Sequence, residues 1–142
     1  MMNQTISIVF FFAAILIFAG VLFTIIMLTK KGPLSLDVEK YRTRWMTIEQ
    51  QLKRDEITSY PMCVMNADTL VDQALKDKGV SGTTMAERMK QMQQKWTNAN
   101  SIWSAHKLRN QIAHEPDFRV DYDSARRALS AFKQALKDVG AI

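Results

Sequence analysis

The sequence predicts an all-α protein: a single transmembrane helix followed by a compact antiparallel bundle of about five helices. Three observations carry this. Residues 1–29 contain no charged side chain, so all 19 Lys and Arg and all 14 Asp and Glu lie from Lys30 onward. Beyond that point apolar residues recur at steps of three and four, the period of a helix with one buried face. No stretch alternates with period two for long, so no strand is expected.

The first element is the anchor. Residues 6–29 read ISIVFFFAAILIFAGVLFTIIMLT, long enough as a helix to cross a hydrocarbon core of roughly 30 Å. A cleaved signal peptide would need a basic n-region, and MMNQT has none; the apolar run is also too long. Lys30, Lys31, Lys40, Arg42 and Arg44 follow the span, and no Lys or Arg precedes it. The positive-inside rule therefore expects a single-pass protein of the cell membrane, with its N-terminus outside and its C-terminal domain cytoplasmic. The same cations also suit anionic lipid headgroups. Gly32-Pro33 breaks the chain, which sets residues 1–31 as anchor and 32–142 as a helical domain of one core.

Five amphipathic stretches follow. Val38, Tyr41, Trp45, Ile48 and Leu52 form the first stripe, capped near Ser35 or Asp37. Ser59-Tyr60-Pro61 opens the second, with Val64, Ala67, Val71 and Ala74 inward and Gly79 at its end. Met85, Met89, Met92 and Trp96 mark a third helix, whose methionines suit a core better than a plastic binding surface. A fourth runs from about Asn98 to His114, with Ala105, Leu108 and Ile112 inward, and Pro116 ends it at Glu115. Tyr122, Ala125, Leu129, Phe132, Leu136 and Val139 form the fifth, stopped by Gly140. Short connections between such helices imply a bundle. The one cysteine, Cys63, cannot form an intramolecular disulfide and fits a buried position.

The chemistry concentrates in residues 103–117, WSAHKLRNQIAHEPD. Both histidines of the chain lie there, with Lys107, Arg109 and Asn110. Arg109 and His114 stand about 140° apart on a regular helix, and both are expected to avoid the face carrying Leu108 and Ile112. Unwinding near Pro116 would let His114 turn toward Arg109. A guanidinium binds phosphate oxygens through paired donors. A histidine with a pKa of about 6.5 can give or take a proton at neutral pH. Together they suit metal-independent cleavage of RNA, with Asn110 orienting either group. Lys107 and His106 are further candidates for phosphate contacts, and the net charge of +5 is compatible with RNA. Plainer roles compete: Arg109 pairing with Glu115 or Asp117, His114 facing the helix dipole, His106 packed, Lys107 solvated.

No cofactor is expected. Two histidines and one cysteine make a poor metal set, and neither a glycine-rich phosphate loop nor a serine nucleophile turn is present.

KLRNQIAHEPD resembles the signature of the HEPN superfamily: an arginine, a polar neighbour, and a histidine after four to six positions. Arg109, Asn110 and His114 fill those places. The setting, near the end of the penultimate helix of a small bundle, is similar too. The resemblance implies a metal-independent endoribonuclease or an RNA-binding module, with a composite site across a homodimer and Arg109, Asn110 and His114 as its site residues. The alternative is a non-catalytic, membrane-tethered interaction or dimerisation module with a protein partner.

Overall fold

The structure, a computed structural model, describes residues 2–29 and 35–142. Lys30, Lys31, Gly32 and Pro33, which carry the expected flank and chain break, lie outside the described residues. The chain divides into two units, Met1–Pro33 and Leu34–Ile142, two residues beyond the boundary expected from the sequence.

The first unit is helix α1, Met2–Thr29. Its stretch Ile6–Leu28 is long and apolar enough to cross a membrane. At 1.5 Å per residue those 23 residues span about 35 Å. The helix is apolar all round rather than along one stripe, as a helix solvated by lipid requires. Phe10, Leu16, Phe18 and Leu28 stand fully outward. Thr24 Oγ1 donates back to the helix itself, to the Gly20 carbonyl at 2.8 Å.

The second unit holds five helices, α2 Val38–Gln51, α3 Ser59–Asp77, α4 Met85–Gln91, α5 Ala99–His114 and α6 Tyr122–Val139. No strand occurs among the described residues. Four connections of seven residues each (52–58, 78–84, 92–98 and 115–121) join them. Helix α3 packs on α2, α4, α5 and α6, and α5 packs on α6. The centre of α3 is accordingly apolar on nearly every side: Cys63, Val64, Ala67, Leu70, Val71, Ala74 and Leu75 are all sealed from solvent. Cys63 donates its thiol to the Ile48 carbonyl, and burial pushes that thiol up from its ordinary pKa.

The ends are set by side chains. Asp37, Thr84, Asn98 and Asp121 each accept a backbone N–H three residues on, capping α2, α4, α5 and α6. Glu115 is extended, with φ −110° and ψ 99°, as a residue before proline should be, and α5 stops at His114. Gly140 closes α6 in the left-handed region at φ 81°.

One element differs from expectation. The methionine helix ends at Gln91, and the chain continues through turns to Lys95. Met92 and Trp96 are buried all the same. The Met92 N–H is shared between the Arg88 and Met89 carbonyls, a tightening that ends the helix. The Trp96 indole then donates to the Met89 carbonyl at 2.9 Å, so the turn keeps both side chains in the core. Met85, Met89 and Met92 serve the core and not an exposed surface.

Candidate functional site

Helix α5 inserts Ile102 and Ala105 into the core, with Leu108 and Ile112 packed at its margin. The polar residues fall into two separate groups around it. His106, Arg109 and Asn110 turn toward α3 and α4, where they line an open cleft of ≈ 370 Å³ with Asp68, Asp72, Lys76 and Arg88. Lys107 turns the other way, into a groove shared with α6.

The centre of the first cleft is Asp68. This carboxylate is only 4% exposed, on the inward face of α3 beside Ala67 and Val71. A buried carboxylate requires partners. Asp68 has two, both from α5: His106 Nδ1 lies 2.7 Å from Oδ1, and Arg109 Nε lies 3.2 Å from Oδ2. The first is a hydrogen bond. The second is an ion-pair contact that does not reach hydrogen-bond geometry. Arg109 Nη1 also donates to Asn110 Oδ1 at 3.1 Å. The Arg109 side chain keeps 28% of its surface open to solvent. Its guanidinium is thus held from below and open above.

This corrects one expectation. Arg109 does not avoid the core side of α5; its Nε is buried against α3. It pairs with Asp68 across two helices, not with Glu115 or Asp117 along the chain.

A second ion cluster adjoins the first, one turn along α3. Arg88 is 4% exposed and places Nε 2.8 Å from Asp72 Oδ1. Its Nη1 donates to the Gly82 carbonyl. Lys76 reaches the other Asp72 oxygen at 2.7 Å. Burial alone would raise the Asp72 carboxyl, but hydrogen bonds from Lys76 and Arg88 outweigh it and hold the group below its ordinary pKa. Gly82 makes the approach feasible: at φ 146°, an added Cβ would come within 2.9 Å of the Arg88 backbone nitrogen.

The remaining candidates stand apart. His114 is the last residue of α5, exposed, and its side chain makes no hydrogen bond or ion pair among the described residues. It does not line the Asp68 cleft. Because α5 stays helical through His114, the 140° offset from Arg109 is retained within one protomer. The structure therefore joins Arg109, Asn110 and His106 and leaves Lys107 and His114 outside that group. Among the described residues, no three His, Cys, Asp or Glu side chains gather as metal ligands.

Sequence inspection missed Asp68, Asp72 and Arg88. A signal existed for the first. Asp68 falls between Val64 and Val71 on an inward stripe, and a carboxylate in such a place calls for a cation from a neighbouring helix. No protein-family model matches the chain, and neither a curated protein nor a solved structure matches it with significant similarity.

Proposed function

We propose that the chain is a membrane-anchored, HEPN-like helical domain that acts on RNA as a homodimer. One observation carries the proposal: α5 offers a guanidinium held in place by Asp68 and Asn110, and an exposed imidazole without partners, on the same helix. In this scheme Arg109 neutralises the phosphate, where charge builds during cleavage. His114 transfers a proton to or from the ribose 2′-hydroxyl or the leaving oxygen. Asn110 fixes the guanidinium plane. The offset between Arg109 and His114 calls for a site composed of two copies, Arg109 from one and His114 from the other. The cations after the span, Lys40, Arg42 and Arg44 among them, support a cytoplasmic bundle.

The second reading is a non-catalytic, membrane-tethered interaction module. It is favoured by Asp68, which engages His106 and Arg109 together and gives both a role in joining α3 to α5.

The test is cleavage of single-stranded RNA in EDTA by the full chain in neutral lipid nanodiscs. Wild type should cleave, and His114→Ala should lose about 10²–10⁴-fold, the usual contribution of a proton-transfer group. A wild type as inert as His114→Ala and Arg109→Ala on varied substrates removes the nuclease and leaves the interaction module.

A further inference from the structure

The groove between α5 and α6 takes no part in the Asp68 cleft. It is open, ≈ 690 Å³, and no carboxylate lines it. Two exposed cations do: Lys107 from α5 and Arg127 from α6. Neither makes an ion pair within 4 Å among the described residues. Arg127 donates to Ser124 Oγ at 3.0 Å, which holds it along the groove wall. Asp121, whose charge is felt by Arg127, is already engaged at the start of α6, accepting the Ser124 N–H at 2.7 Å and its hydroxyl at 3.1 Å.

The α5 wall has a register. Asn100, Ser104, Lys107 and Gln111 are spaced four, three and four residues apart, and His114 follows three later. On a regular helix all five fall within about 80° of arc. The first four line the groove, and His114 continues their row at the end of α5. The row offers amides and a hydroxyl, groups that hydrogen-bond to both donors and acceptors.

We propose that this groove is the track for the sugar-phosphate backbone of single-stranded RNA, with Lys107 and Arg127 each neutralising a phosphate and the strand led toward His114. The inference rests on the RNA reading and deepens it. No aromatic side chain lines the groove, so its contacts are to backbone and ribose 2′-hydroxyls rather than to stacked bases.

The experiment is RNA binding as a function of salt, by fluorescence anisotropy with a labelled single-stranded oligonucleotide. It uses the full chain in neutral phosphatidylcholine nanodiscs, with cleavage followed in the same samples. A Lys107→Gln/Arg127→Gln variant is compared with Lys95→Gln/Lys137→Gln, which removes two exposed charges outside the groove. Helical circular dichroism and melting confirm that each variant is folded. Losing two phosphate contacts should reduce the slope of log affinity against log salt by about 1.4. Between 50 and 200 mM salt, the groove variant should then lose about sevenfold less affinity than wild type. The control variant should keep the wild-type slope. A groove variant with the wild-type slope, a control that changes as much, or a wild type that binds no RNA overturns the inference. Cleavage that persists in a groove variant binding like wild type defeats the groove and spares the nuclease. Groove-dependent binding without cleavage does the reverse.

Discussion

Asp68 is the residue on which the α3–α5 contact turns. It sits where an apolar side chain would ordinarily go, and two α5 side chains converge on it. Removing one member of a buried pair leaves the others desolvated and unpaired. Asp68→Ala should therefore cost about 3 kcal/mol, the low end for such a loss because Arg109 is partly solvated, and chemical denaturation would measure it. His114→Ala should change stability by less than about 0.5 kcal/mol, since the side chain is exposed and unpartnered. A large loss of stability in His114→Ala would make its role structural. Acid should act through Asp72 and Asp138. Burial opposes their charge, but hydrogen bonds from Lys76 and Arg88 on the first, and from Thr97 and Gln134 on the second, leave both carboxyls below their ordinary pKa. Each folded value lies below its unfolded one, so each group lends stability that is complete above about pH 4–5 and fades as pH falls through the folded value. Melts from pH 7 to pH 2 should show a plateau and then a decline below about pH 4. Stability that rises on acidification would contradict these pairings.

At the scale of the elements, the connections do as much as the helices. The chain turns from α3 into α4 through Gly82, whose Cβ position is occupied by the backbone of α4. Gly140 also has a positive φ, but an added Cβ there would meet only the end of Lys78 at 3.9 Å. Gly140→Ala should cost about 1 kcal/mol, the strain of a left-handed backbone alone. Gly82→Ala should cost more, because strain and collision add and the buried Arg88 must move. The order of the two melting temperatures tests this assignment. The α4–α5 connection is tied to α4 and α6 through two adjacent residues. The Trp96 indole holds α4, and Asp138 of α6 accepts the Thr97 N–H at 2.8 Å and its hydroxyl at 2.7 Å. The packing explains why a seven-residue helix suffices there. Met89 is sealed in the core, and Arg88 is bound to α3.

The whole molecule consists of two units, one of them a helix long and apolar enough to cross a membrane and the other a bundle of five helices. Helix α1 is apolar around its circumference, and its large side chains from Ile6 to Leu28 are exposed. The bundle hides its apolar residues around α3 and keeps its surface charged. Full-length protein should therefore resist alkaline carbonate extraction from membranes. If the bundle is cytoplasmic, as proposed, external protease should leave it intact in whole cells and digest it after lysis. Digestion in intact cells would reverse the orientation and remove the cytoplasmic RNA proposal with it.

The apolar run of residues 6–29, a cap at Ser35 or Asp37 (Asp37 in the structure), a helix start near Asn98, the break at Pro116 and the stop at Gly140 were legible in the chain because each acts on its own neighbours. So was the gathering of both histidines with Lys107, Arg109 and Asn110 in residues 103–117. The pairing of Asp68 with His106 and Arg109 was not, because those residues lie 38 and 41 positions apart and only the packing of α3 on α5 brings them together. The same holds for the early end of α4, decided by Trp96 finding a carbonyl behind it. Local sequence sets where a helix begins, ends and turns its apolar face. Which charges meet across two helices depends on their relative rotation, and the filling of the common core fixes that rotation.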